Sequence, residues 1–215
     1  MSSRSIASRL ESAHLALTNA LAESDLLEAL SAYGYDEARL LEGKSYYESA
    51  LAHFHQQQEH QHRYRAASLA QRQADEAATQ AYMHAVKLCR VICRKDPVAY
   101  RRLGLTGKRH KSFANRVVQM RLFYTAALDS PDILTVLSAY GLSEGQLQNE
   151  LAQVAVLETA HAQRERENGA AQNATQTHQQ ALAELDRWMG EFVAIARLAL
   201  AQTPQRLEML GLPNS

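Results

Sequence analysis

The 215-residue sequence contains few residues that break helices and few that form disulfides. It has four Pro, nine Gly and two Cys, and aromatic residues make up 7% of the chain. So few breakers favour long helices over a β architecture. The length suits one large domain or two small ones, and it is enough to bury a sizeable core.

The sequence also lacks an excess of one charge and long apolar runs. Lys+Arg and Asp+Glu each total 23, so the formal net charge is zero. This balance argues against a molecule that coats nucleic acid or membrane surfaces as a whole, because both need a basic excess. No apolar run approaches the roughly 18 residues that a membrane-spanning helix requires. We therefore expect a soluble protein without a membrane span.

Motifs of common enzyme classes are missing as well. The chain has no Gly-x-Ser-x-Gly elbow, no phosphate-binding glycine loop, no dinucleotide-binding fingerprint and no Cys-x-x-Cys pair. Cys89 and Cys93 lie four residues apart on a helical segment, where the geometry is poor for a disulfide. We interpret them as small core residues in a reducing compartment, the cytoplasm. The sequence thus leans towards a protein that is not an enzyme.

An internal repeat organises the chain. Shifting the sequence by 107 residues pairs about 26 positions identically without a gap. The segment Leu-Ser-Ala-Tyr-Gly, for example, occurs at Leu30–Gly34 and again at Leu137–Gly141. Positions 107 residues apart are called offset-related below. The pattern predicts an all-α tandem duplication, with helical-bundle repeats at 1–107 and 108–215 that pack together.

Each predicted repeat consists of a helix, a short helix that ends at a glycine, a long helical hairpin and a last short helix. In the second repeat, Asn168-Gly169 predicts the turn of the hairpin. The first repeat has no breaker at that place, so its turn is placed by analogy, and one continuous helix with exchange between the repeats stays open. Ala81 and Ala85 are offset-related to Trp188 and Phe192, so the two bundles cannot pack alike.

The predicted hairpin of the second repeat suggests a metal site. Glu158 and His161 share a helix face, and a turn at Asn168-Gly169 places His178 across from His161. Two His and one Glu form a three-ligand set for zinc with an open position. A diiron site needs further inward carboxylates. The alternative is a hydrogen-bonded or partly solvated Glu158–His161 pair; we expect no cofactor by default, and zinc or iron are the metals considered.

A second group of potential ligands lies in the first repeat. His55, Glu59 and His62 stand at i, i+4 and i+7 and so share one helix face. Their neighbours are mostly glutamines, however. A solvated polar helix end is therefore the alternative to a metal site.

Basic residues concentrate at the junction of the repeats. Residues 87–116 hold ten of the 23 basic residues and a single acid, Asp96. The candidates for contact with phosphates, acidic lipid or an acidic partner are Arg94, Lys95, Arg101, Arg102, Lys108, Arg109 and Lys111. A solvated junction, partly neutralised by acids elsewhere, is the alternative.

These observations favour a soluble, non-enzymatic helical bundle that binds another protein or itself, with a homodimer as one form. Alanine-lined helix faces are the expected docking surfaces, since they let helices approach closely. A metal-binding bundle at Glu158, His161 and His178 is the first alternative. A binder of anionic ligands or nucleic acid through the basic junction is the second, and nucleic acid is the less favoured partner.

Overall fold

The computed structural model describes residues 5–107 and 109–212, which form helices and turns and contain no β-strand. The all-α prediction is thereby confirmed. The α-helices of the described residues are α1 (Ile6–Ala22), α2 (Ser24–Ser31), α3 (Glu37–Ile92), α4 (Pro97–Arg102), α5 (Phe113–Leu128), α6 (Pro131–Ala139), α7 (Glu144–Ala199) and α8 (Pro204–Met209). The bounds of α3 and α4 recur at α7 and α8 with the offset of 107.

Capping residues and glycines set the ends of the short helices. Asp96 caps α4, because its Oδ1 accepts hydrogen bonds from the backbone N–H groups of Val98 and Ala99, both at 3.0 Å. Gly34 and Gly141 have φ angles of +84° and +88°. This is the left-handed conformation expected where a helix ends and the chain folds back. These predicted helix ends are confirmed.

The two long helices run without a turn. α3 and α7 are each continuous over 56 residues. The turn predicted at Asn168-Gly169 is therefore wrong, as is the turn placed by analogy in α3, so neither repeat contains a long hairpin. A glycine inside a helix costs only about 1 kcal/mol relative to alanine, and the residues around Gly169 are rich in Ala, Gln, Glu and Arg, which favour a helix. Neither long helix, nor any other described helix, is apolar enough over a sufficient length to cross a membrane.

The helices belong to two compact units. Unit 1 comprises the described residues of Met1–His62 and Ala170–Ser215, and unit 2 comprises those of Arg63–Gly169. Unit 1 thus contains α1, α2, the first part of α3, the second part of α7, and α8. Unit 2 contains the second part of α3, α4, α5, α6 and the first part of α7. Each unit draws helices from both sides of position 107, as in the exchange that the sequence left open for α3.

The core of unit 1 joins two distant stretches of the chain. Leu17, Leu30 and Leu40, from α1, α2 and α3, are buried in one cluster with Phe192 and Ala196 of α7. Burying a large apolar side chain stabilises a fold by about 1.5–3 kcal/mol. The contribution of these leucines to the stability of unit 1 therefore depends on residues more than 150 positions further along the chain.

The core of unit 2 has its apolar residues at offset-related positions. Leu137 and Leu147 are buried, as are their counterparts Leu30 and Leu40 in unit 1. Leu137 and Leu147 lie in one cluster with residues of the second part of α3, among them the buried Cys89. The two units therefore bury corresponding positions of the sequence.

Residue sizes compensate inside each unit. Unit 1 combines the large residues Trp188 and Phe192 with the small Ala16 in one cluster. Unit 2 has the reverse arrangement, because Ala85 replaces the phenylalanine of α7 and Phe123 replaces the alanine of α1. Neighbouring side chains thus keep both cores filled although the offset-related residues differ, as close packing requires.

One such exchange of sizes involves a glycine. A Cβ atom on Gly43 would overlap with Cη2 of Trp188, so the indole ring lies directly on the glycine backbone. In unit 2 the offset-related residues are Glu150 and Ala81. The small Ala81 side chain leaves space that the indole occupies in unit 1, and Glu150 is buried there with 7% of its surface exposed.

An ion pair links the first helix of each unit to the long helix that comes from the other half of the chain. In unit 1, Nε of Arg9 on α1 donates to Oδ1 of Asp186 on α7 at 3.1 Å. In unit 2, Nη2 of Arg116 on α5 donates to Oδ2 of Asp75 on α3 at 2.6 Å. Partly exposed pairs stabilise a fold by at most about 1 kcal/mol. Each pair therefore adds little to the stability that the apolar cores of these units provide.

Replacing Gly169 by alanine distinguishes a continuous α7 from a hairpin. We expect Gly169→Ala to raise the free energy of unfolding by about 0.5–1 kcal/mol, because alanine favours a helix more than glycine does. Its Cβ would meet no described atom within 4 Å. Denaturant unfolding followed by circular dichroism measures the change. A left-handed glycine in a turn would give a loss of stability instead.

Replacing Gly43 by alanine tests the packing of the indole. We expect Gly43→Ala to lower the free energy of unfolding by about 1–3 kcal/mol, because the Trp188 ring must move. Trp188 is the only tryptophan, so its fluorescence reports this site directly. When the indole is replaced by a smaller side chain, with Trp188→Leu in the same chain, Gly43→Ala should lower the free energy of unfolding by less. An unchanged emission spectrum together with an unchanged unfolding midpoint would contradict the contact.

Candidate functional site

The continuous α7 separates the two histidines that the hairpin was expected to join. His161 belongs to unit 2 and His178 to unit 1, and the structure does not bring them together. Nδ1 of His161 lies 3.2 Å from Nε2 of Gln71, and the ring of His178 lies 5.4 Å from the ring of Phe54, centroid to centroid. Gln71 and Phe54 are offset-related to His178 and His161. The predicted His161–His178 pairing is therefore wrong; each histidine instead meets the residue of α3 that is offset-related to the other histidine.

Glu158 and His161 have separate partners in unit 2. Glu158 forms an ion pair with Arg121 of α5. The ring of His161 stacks on Phe113, with 3.8 Å between the ring centroids. Glu158 is thus paired with Arg121, whereas His161 contacts Phe113 and Gln71.

His55, Glu59 and His62 lie on the exposed surface of α3 in unit 1. They are solvated, as the alternative to a metal site predicted, but they lie in the interior of a long helix instead of at a helix end. Across residues 5–107 and 109–212, no three His, Cys, Asp or Glu side chains are close enough to hold a metal ion. This finding covers both groups of predicted ligands.

His178 is instead a buried residue of unit 1. Only 1% of its surface is exposed, and neither ring nitrogen makes a hydrogen bond of good geometry with a described residue. Burial is the largest influence and lowers the pKa of His178; the backbone of Ala50 acts against it, and the charges of His53 and Arg9 lower the pKa further. The imidazole is therefore neutral in the folded protein at pH 7.

The basic residues of the predicted junction divide into exposed and inward-facing groups in unit 2. The exposed ones are Arg94, Lys95, Arg101, Arg102 and Lys111. Lys108 lies outside the described residues. Arg109 is partly buried, and its Nη1 donates to the Tyr82 hydroxyl at 2.7 Å and to the Gly104 carbonyl at 3.1 Å. Arg109 therefore links the end of α4 to α3, and the five exposed residues named above face solvent.

A buried polar group in unit 2 was missed in the sequence. One carboxylate oxygen of Glu150 accepts a hydrogen bond from Gln146 at 3.1 Å. Burial raises the pKa of Tyr124, and the charge of Glu150 acts in the same direction. Burial also raises the pKa of the Cys89 thiol to about 12, so this thiol is protonated and a poor nucleophile at pH 7. The sequence feature that could have revealed this buried group is the difference between Gly43 and its offset-related residue, Glu150.

Unit 2 also has an open groove between α5 and the end of α4. Its volume is about 510 Å³. Val118, Leu122 and Ala126 of α5 supply apolar lining, and Val118 and Leu122 are 56% and 64% exposed. Arg102 and His110 contribute polar and basic groups to the same groove. The site thus combines exposed apolar side chains with cations, which is typical of binding surfaces.

The corresponding surface of unit 1 is partly covered, although Leu15, the counterpart of Leu122, is 44% exposed there. Cδ2 of Leu15 lies only 2.7 Å from the place of a Cβ on Gly211, so α1 and the chain after α8 are in contact. The Asn19 side-chain amide also donates to the Met209 carbonyl. Ala126 occupies the position of this asparagine in unit 2 and has no amide to close the groove. The open groove is therefore a difference between two otherwise corresponding surfaces.

The buried His178 makes stability depend on pH. Because its folded pKa is lowered, the unfolded chain binds the proton more readily, and stability is lost as the pH falls below the unfolded value of about 6.5. We expect the free energy of unfolding to fall by at most about 1.4 kcal/mol per pH unit from this residue. Position 178 is offset-related to Gln71, so His178→Gln introduces the residue type that stands at the corresponding position. This variant should lack the part of the pH dependence of stability that comes from His178. Equal slopes in both proteins between pH 7 and 5 would contradict the assignment.

Comparison of the chain with known protein families, with curated protein sequences and with solved structures finds no match. Its function is therefore inferred from the groove and its surroundings.

Proposed function

We propose that the chain is a non-enzymatic protein-interaction module and that the groove of unit 2 is where a partner protein docks. The observation that carries this proposal is the open groove with two neighbouring exposed apolar side chains, Val118 and Leu122. Exposed apolar surface costs free energy in water, and a partner that covers it gains about 25 cal/mol for each Å² buried. Contiguous patches of this kind mark interaction sites.

The matching surface of unit 1 supports the proposal. Val118 is offset-related to Glu11, and both positions are exposed. Glu11 keeps this position of unit 1 polar, whereas Val118 adds an exposed apolar side chain beside Leu122 in the groove of unit 2. A partner that covers both side chains would remove this apolar surface from water.

The alanine-lined faces serve a different role in this proposal. Ala78 and Ala85 of the expected docking seam are buried in the core of unit 2. They allow close packing within the unit and leave no surface for a partner. Docking is assigned to α5 and α4 instead.

The two units are proposed to derive from a tandem duplication whose products exchanged their long helices. Support comes from the recurrence of the helix bounds at the offset of 107 and from the burial of matching positions in both units. In this view unit 1 is a scaffold and unit 2 has diverged to bind. A second copy of the chain is one candidate partner, since Tyr33 and Tyr140 are more than half exposed at offset-related positions.

A cytoplasmic location is part of the same proposal. Cys89 and Cys93 are both buried and unpaired. Unpaired thiols fit a compartment that keeps cysteines reduced.

Site-specific photo-crosslinking in the native cells tests the docking site. A photoreactive residue at Asn115, which lines the groove, should form protein adducts, whereas one at the offset-related Ser8 should form few. Adding Val118→Glu should lower the adduct yield at Asn115 at least about tenfold, because docking would bury an unpaired carboxylate. The adduct masses separate a second copy of the chain from a different protein.

The same variant provides its own control for folding. Val118 is exposed, so Val118→Glu should shift the thermal midpoint by no more than about 2 °C. Equal adduct yields at Asn115 and Ser8, or yields that Val118→Glu leaves unchanged, would overturn the proposed function.

A further inference from the structure

We propose that the partner segment is an acidic amphipathic α-helix of about three turns that lies along α5. The inference rests on the proposed function and specifies the chemistry of the partner. It depends on three properties of the groove: the spacing of its apolar residues, its shallowness and the sign of the charges around it.

The spacing of the lining residues fits a helix. Asn115, Val118, Leu122 and Ala126 follow one another at i, i+3, i+7 and i+11 and form a continuous stripe on α5. The stripe is about 16 Å long at a rise of 1.5 Å per residue. The opposite face of α5 is already buried in the core of unit 2. A partner helix of similar length can therefore pack its own ridge of side chains against this stripe.

The depth of the groove argues against a small molecule. Pockets for small ligands bury about 70–90% of the ligand surface. Here Val118 and Leu122 remain 56% and 64% exposed, so the groove encloses little. A broad macromolecular surface, laid over the stripe, covers these side chains more completely.

The charges around the groove favour an acidic partner. Arg102 and His110 line it, and their neighbours in the sequence, Arg101 and Lys111, are exposed. Between positions 94 and 121 the only acid is Asp96, which is engaged in capping α4. Carboxylates beside the apolar face of a partner helix would meet these cations at the rim and set its orientation. A nucleic acid would satisfy the cations but leave Val118 and Leu122 exposed.

Selection from a displayed peptide library on the full-length protein tests the inference. The library holds helical segments with apolar residues at i, i+3 or i+4, and i+7, and random residues elsewhere. We expect the selected segments to carry an excess of Asp and Glu beside the apolar positions. Synthetic peptides from the selection should bind the unmodified protein and lose at least about tenfold in affinity with Leu122→Glu.

The charge contribution has a matched control. Arg102→Gln should weaken the selected peptides about three- to tenfold and reduce the salt dependence of binding, because a rim charge is lost. Arg94→Gln removes an equally exposed cation that does not line the groove, and it should leave affinity unchanged.

Each outcome of the selection decides the inference. Peptides that depend on Leu122 but are neutral or basic would overturn the acidic partner and leave the docking site standing. A library that yields no peptide dependent on Leu122 would overturn the helical partner, while the crosslinking at Asn115 decides separately whether the groove binds a protein at all. Binding of phosphatidylglycerol vesicles in place of acidic peptides, lost with Leu122→Glu, would identify a lipid surface and overturn the inference.

Discussion

The uninterrupted length of α3 and α7 is the constraint on which the rest of the structure depends. A helix that does not turn back cannot cover its own apolar stripe, so each of its two parts must be covered by helices from elsewhere. In the structure, the second part of α3 shares a core with α5 and α6, and the second part of α7 shares a core with α1 and α2. The ion pairs of Arg9 and Arg116 mark these two pairings.

Local features of the sequence predict the local features of the fold. The capping Asp96 and the left-handed Gly34 and Gly141 act within a few residues of themselves, so their effect can be derived from the chain alone. The exchange could not be derived in this way, since periodicity shows which side of a helix is buried but not which helix buries it. At Asn168-Gly169 the turn signal was outweighed by the helix-favouring residues on both sides, so α7 continues through this point.

The candidate site illustrates the same limit. Helical periodicity identifies Val117 as a core position, and it is buried. The neighbouring Val118 can be recognised as unusual only when its exposure is known and its counterpart Glu11 is compared with it. The groove depends on the absence of an amide at Ala126 and of a contact like that of Leu15 with Gly211, which are properties of three-dimensional packing. The buried Glu150, offset-related to Gly43, shows that the two units also differ inside their cores.

The division of the chain between the units also determines the order in which they can form during synthesis. Unit 2 is one contiguous stretch, 63–169, and all of its helices are available once that stretch has emerged. Unit 1 must wait, because α1, α2 and the first part of α3 are completed only by residues beyond 169. Closing so long a loop is slow, and apolar surface left uncovered in the meantime is prone to aggregate. The helices α1 and α2 are synthesised before unit 2 but are buried after it, so their apolar faces stay exposed longest and are natural sites for chaperone binding.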